Sequence, residues 1–149
     1  MGIVLDTDFC IGILNGMIPK QVFLDQFGRR KIYITSSSIF ELHRGLFKQF
    51  YGKNAISKER FEQEQTILGD FISSFIELPY DGKSALLTAQ IFERLRSKGA
   101  DIGLYDCQIA GTILAHNLHE ILTLNIRHFE RITDLKILQF PNEADEVGE

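Results

Sequence analysis

Apolar residues recur along this chain in two rhythms. Short runs stand at Ile3-Val4-Leu5, Ile32 to Thr35, Glu77-Leu78-Pro79, Glu120 to Leu124 and Leu135 to Phe140. Runs of that length suit strands buried on both faces of a parallel sheet. Between them the apolar positions return at helical spacing: Phe9, Ile11, Ile13 and Leu14 up to Asn15-Gly16; Val22, Phe23 and Phe27 after Pro19; Ile39, Leu42, Leu46 and Phe50; a stretch from Lys58 to about Phe75; Leu86, Leu87, Ile91, Phe92 and Leu95 up to Lys98-Gly99; Ile109, Ile113 and Leu114; and a short piece from Arg127 to Ile132. Thr7 or Asp8, the cluster Ser36-Ser37-Ser38, Ser57, Asp81 and Asp106 stand where N-caps are needed. Strands that alternate with helices require crossover connections, so the pattern predicts an α/β fold with a central, mainly parallel sheet and helices on both faces.

Polar residues at the ends of these runs change the picture from architecture to chemistry. Asp6 closes the first run, Glu41 follows the second run and its serine cluster, Asp106 heads a helix, and Thr123-Leu124-Asn125 ends the run at Ile121-Leu122. In an open parallel sheet the carboxyl ends of the strands line one crevice, so acids placed there by remote segments converge. Converging carboxylates raise one another's pKa, and a bound cation relieves the repulsion. A divalent metal is the expected occupant.

The chain has 149 residues, 44% of them hydrophobic, which is enough for one well-buried core and too little for two ordinary domains. Residues 1–141 are expected to form one domain, and the acidic, aromatic-free stretch 142–149 a disordered tail. A net charge of -4 excludes general retention of nucleic acid by a basic field, so any polyanion must be held locally. Cys10 and Cys107 lie in apolar stretches without metal-binding spacing and read as buried free thiols in a reducing compartment. No apolar run approaches the ~18 residues of a membrane span, no secretory leader is evident, and Asp6 spoils a myristoylation signal at Met1-Gly2. The expected location is cytoplasmic.

Val4-Leu5-Asp6-Thr7, Ser38 to Leu42 with Gly45, Gly99 to Gly103 with Asp106 and Ile109-Ala110, and Thr123-Leu124-Asn125 with Phe129 together resemble the PIN domain. The likeness is to the VapC-type toxins of bacterial toxin–antitoxin pairs in particular, and it spans about residues 3 to 140. It implies a three-layer α/β/α PIN-like fold and a metal-dependent endoribonuclease acting on single-stranded or loop RNA. It also implies a cognate antitoxin and a homodimer. Carried over by motif, Asp6, Glu41 and Asp106 would bind Mg2+ or Mn2+. Asn125 would complete the catalytic set at the fourth family position, where it offers a carbonyl oxygen and no negative charge. Thr7, Ser38 and Thr123 are the expected hydrogen-bonding supports, and Arg44, Arg127 and His128 the expected RNA contacts.

Each residue also has a plainer reading. Asp6 and Asp106 could simply cap helices, Glu41 could pair with Arg44, and His128 could be a solvated helix residue. Two other functions compete: a catalytically silent PIN-like binding module, which Asn125 would permit, and a phosphatase resembling the haloacid-dehalogenase type, in which Asp6 attacks phosphorus and Asp8 acts as acid/base.

Overall fold

The computed structural model describes residues 2–141; the acidic stretch expected to be a disordered tail lies outside them. The elements run β1 (Ile3–Leu5), α1 (Thr7–Leu14), α2 (Lys20–Phe27), β2 (Ile32–Thr35), α3 (Ser36–Tyr51), α4 (Lys58–Ser73), β3 (Ile76–Leu78), α5 (Gly82–Ser97), α6 (Leu104–Ala115), β4 (Glu120–Leu122), α7 (Ile126–Phe129) and β5 (Lys136–Ile137). All strand pairings are parallel, in the order β3-β2-β1-β4-β5. The sheet expected to be mainly parallel is therefore parallel throughout.

β1 is the middle strand and is fully buried. Its side chains alternate between two cores. Ile3 and Leu5 pack with Phe9, Phe23, Phe27, Ile34, Leu42 and Leu68, which brings α1 to α4 onto one face. Val4 packs with Ile91, Leu95, Ile109, Ile113, Ile121 and Phe129, which brings α5 to α7 onto the other. The split follows from connection handedness: β1 to β2 to β3 steps one way along the sheet, the return to β4 steps the other way, and right-handed crossovers then lie on opposite faces.

The order reverses between β1 and β4. Leu5 is in register with Ile34 on one side and Leu122 on the other, so Asp6, Thr35 and Thr123 emerge together at the carboxyl edge. The Asp6 N–H still donates to Leu122 O at 3.1 Å, which holds the first acid against the end of β4. At the opposite edge the Arg30 guanidinium grips Glu120 through two contacts of 3.1 Å, tying the turn before β2 to the start of β4.

Several boundaries differ from the sequence expectation, for local reasons. β4 stops at Leu122 rather than Leu124, because Thr123 turns its hydroxyl toward Asp6 and also accepts from Asn125 N–H. α1 is capped by Asp6 itself, which accepts from Phe9 N–H, and not by Thr7 or Asp8. Thr35, the last residue of β2, caps α3 in place of the three serines. α6 starts at Leu104 after Gly103, which puts Asp106 inside the first turn and not at the cap. α7 ends at Phe129 and β5 at Ile137, both short of their expected extents. Asp81 and Ser57 cap their helices as expected.

Candidate active site

Asp6, Thr7, Asp8, Glu41, Gly103, Tyr105, Asp106 and Asn125 line one open cleft of about 240 Å³ at the carboxyl edge of the sheet. The cleft stands where the strand order reverses between β1 and β4, the position at which open α/β sheets bind ligands. Four separate stretches of chain build it: the β1–α1 elbow, the middle of α3, the start of α6, and the segment after β4.

Asp6 is 2% exposed. One carboxylate oxygen accepts from Phe9 N–H at 2.8 Å, the other from the Thr123 hydroxyl. Burial pushes its carboxyl up to about 7; the bonds from Thr123 and Phe9 pull it back, while the charges of Asp8 and Asp106 add to the rise. Glu41 is half-buried, and burial raises its pKa against the opposing bond from Thr7, with Asp106 and Asp8 again raising it and Arg44 lowering it. The charges of Asp106 and Asp8 thus bear on both Asp6 and Glu41.

The supporting hydroxyls form a relay. Thr7 Oγ1 lies 2.9 Å from Ser38 Oγ and 2.7 Å from Glu41 Oε1. A hydroxyl has one proton, so Thr7 gives its proton to the carboxylate and accepts from Ser38. Ser37 Oγ reaches Gln108 Oε1 at 3.3 Å and ties α3 to α6. Asp106 Oδ2 meets His128 Nδ1 at 2.7 Å and the Asn125 side-chain amide at 3.4 Å.

The structure brings Asp6, Glu41, Asp106 and Asn125 together, with Thr7, Ser38 and Thr123 touching them as supports. It does not bring Arg44 or Arg127 into contact with the acids: both are exposed and neither forms an ion pair among the described residues. His128 contacts Asp106 and stays partly exposed. Sequence reasoning named Gly103 only within a motif, missed Tyr105, and weighed Asp8 only as a cap or support or as a phosphatase's acid/base. The signal for the first two was adjacency to Asp106; Asp8 is one helical step past Thr7, so its proximity depends on the tight elbow that Asp6 caps.

The donors available are carboxylate oxygens and one amide oxygen, a hard set that fits Mg2+ or Mn2+ and not a soft metal. Among the described residues no three Asp, Glu, His or Cys groups are already drawn into a tight metal cluster. Protein donors hold both oxygens of Asp6, one oxygen of Glu41 and one of Asp106. Burial is the first cause of the raised pKa of both Asp6 and Glu41, and the neighbouring acids Asp8 and Asp106 add to it.

Comparison with known proteins agrees with the geometry. The family description "PIN domain" matches residues 3–135. A ribonuclease VapC of Rickettsia bellii is 28% identical over 95% of this chain and 98% of its own length. A tRNA(fMet)-specific endonuclease VapC of Salmonella typhimurium is 30% identical over 90% of this chain and 94% of its own. Among solved structures, VapBC2 from Rickettsia felis bound to a promoter DNA fragment superposes with a TM-score of 0.78 at 28% identity, covering 93% of this chain and 98% of that one.

Proposed function

The chain belongs to the PIN-domain family, and from that membership and the cleft we propose that it is a divalent-metal-dependent endoribonuclease, the toxin of a toxin–antitoxin pair. The observation that carries the reading is the convergence of Asp6, Glu41 and Asp106 from three elements onto one open cleft at the sheet's reversal point. Asp6, Glu41, Asp106 and the Asn125 carbonyl oxygen would hold Mg2+ or Mn2+, which would supply activation of a water and offset charge on the scissile phosphate.

The chain's own residues do the rest. Thr123 and Phe9 N–H fix Asp6 at the floor of the cleft. Thr7, backed by Ser38, aims Glu41 from α3. The first turn of α6 delivers Asp106 from the far side. Arg44 and Arg127 stay solvent-exposed and form no ion pair with the acids among the described residues, so they can attract the phosphate backbone. The acidic net charge is then compatible with an RNA substrate, because the attraction is local.

Relatives resolved as VapBC complexes support an antitoxin partner. Two apolar grooves suit a helix from such a partner. One, of about 680 Å³, runs between α2 and α4 and includes Phe23, Leu24, Ile67 and Phe71; the next, of about 420 Å³, runs between α1, α3 and α4. They share Leu14 and Ile67, the latter 56% exposed. Glu41 lines both the second groove and the active cleft, so an occupant of the groove would reach the site.

The test is the initial rate of cleavage of a fluorescent single-stranded RNA and of a stem-loop tRNA. Cleavage is expected with Mg2+ or Mn2+ and should vanish in excess EDTA. Full activity in chelator, after an Asp6→Asn control has excluded contaminating nuclease, would refute the metal mechanism.

A further inference from the structure

Resting on the reading above, we propose that His128 is a positioning residue, its Nδ1–H bridging Asp106 and Asn125 so that Asn125 turns its carbonyl oxygen toward the acid. Sequence position alone makes this histidine an RNA contact. The geometry points elsewhere.

Three atoms make a triangle. His128 Nδ1 is 2.7 Å from Asp106 Oδ2 and 2.8 Å from the Asn125 amide atom placed as Nδ2, and that atom is 3.4 Å from Asp106 Oδ2, the longer contact that an oxygen there would give up. Nδ1 holds at most one hydrogen, and an oxygen of a carboxylate group serves here as an acceptor. If Nδ1 accepted a bond from the Asn125 NH2, its lone pair would face a carboxylate oxygen at 2.7 Å, an acceptor against an acceptor. If Nδ1 carries the hydrogen, it donates to Asp106, and the Asn125 atom beside it must be an acceptor. The oxygen and nitrogen of an amide are assigned from such bookkeeping, because their positions are interchangeable. The consistent assignment is therefore Asn125 Oδ1, sharing one N–H with Asp106.

Asn125 itself supports this. It stands at the N-cap of α7, where an asparagine ordinarily accepts from a backbone N–H of its own helix, yet it makes no such bond. Its own N–H is taken by Thr123 Oγ1. Its side chain is directed at Asp106 and His128, and His128 lies three residues on, the spacing that puts both on one helix face. The outcome is two oxygens, one from a carboxyl group and one from an amide, set side by side at the cleft by a single donor. Residues that hold a ligating group by hydrogen bond typically control metal affinity by about 10–100-fold.

Asn and Gln variants separate the two ring nitrogens. An Asn Nδ2 stands at the same bond count from the backbone as His Nδ1, whereas a Gln Nε2 matches His Nε2. His128→Gln is expected to weaken binding of Mn2+ alone, measured by calorimetry, at least about tenfold. It should lower kcat on single-stranded RNA comparably and leave KM within about twofold. His128→Asn should keep both values within about threefold. The tautomer is read without any change of stability: imidazole 15N shifts of the full-length parent, with the His128 signals identified by their loss in His128→Asn, should show the hydrogen on Nδ1. A hydrogen on Nε2 with Nδ1 bare would overturn the proposal. So would a His128→Gln protein that binds Mn2+ like the parent and raises KM alone, the signature of an RNA contact. A parent that binds Mn2+ and shows the Nδ1 hydrogen but cuts no RNA would count against the proposed function and not against this role of His128.

Discussion

Asp6 carries two duties that pull against each other. As the cap of α1 and the partner of Thr123 it is a structural acceptor, and as a buried carboxyl among Asp8 and Asp106 it is a destabilised charge. Its folded pKa, raised from 3.8 to about 7, means that the folded state holds the proton more tightly than the unfolded one. The associated stability is full below about pH 4 and is lost as pH rises to about 7, falling by ~1.4 kcal/mol for each pH unit between those values. Asn at this position keeps an acceptor for Phe9 N–H and a polar group for Thr123. In chelator, the melting temperature of Asp6→Asn minus that of the parent should therefore grow between about pH 4 and 7.5; a difference that is flat or shrinks would show that Asp6 is not a strained charge. The acids were legible because each one stands beside a recognisable run: Asp6 closes one, Glu41 follows another with its serines, and Asp106 heads a third. Their support was less so: that Asp6 caps its own helix depends on the sharp elbow after β1, and that His128 faces Asp106 depends on a fold contact across a separation of 22 residues.

At the scale of elements, the position of Asp106 depends on how α6 sits against α5. Gly111 makes that contact possible: a Cβ added there would collide with Thr88 Oγ1 and lie 2.7 Å from Thr88 N and 2.9 Å from Ser84 O. Thr88 cannot easily yield, since its hydroxyl is spent on Ser84 O at 2.7 Å. Gly111→Ala should cost on the order of 3 kcal/mol, the scale of overpacking against backbone. That corresponds to a fall of roughly 6–12 °C in melting temperature for a chain of this size. Gly45, which has open space around it, serves as the control: Gly45→Ala should leave the melt within about 2 °C or raise it. Equal melts for the two variants would contradict the packing account. The helices and strands were legible from periodicity, because long apolar rhythms survive tertiary context. Their ends were not: β4 stops where a hydroxyl finds a carboxylate, and α6 begins at a glycine rather than at the acid. The apolar run at Cys107 to Ala115 gave no hint that a glycine within it is a close-contact point with another helix.

Across the whole molecule, the site is a product of topology. Reversal of strand order beside β1 puts Asp6 and Thr123 at the mouth of the sheet, and the helices on opposite faces bring Glu41 and Asp106 in from either side. The α/β class and parallel sheet were readable from the sequence; the reversal point was not, because strand order leaves no local trace. If crowded acids await a cation, Mn2+ at a hundred times its dissociation constant should stabilise the parent by about 2.7 kcal/mol, and Asp106→Asn should lose most of that gain. Equal gains in both would place the metal elsewhere. The most direct test of the central claim is the initial rate of the parent, Asp8→Ala, Glu41→Gln and Asp106→Asn, each checked for folding by circular dichroism, on a fluorescent single-stranded RNA and on a generic phosphate monoester. A nuclease centred on these acids predicts RNA cleavage by the parent, losses of at least ~100-fold in Glu41→Gln and Asp106→Asn, equivalent to about 2.7 kcal/mol of transition-state stabilisation, and measurable cleavage retained by Asp8→Ala. Monoester hydrolysis that dies with Asp8→Ala and survives Glu41→Gln would contradict it.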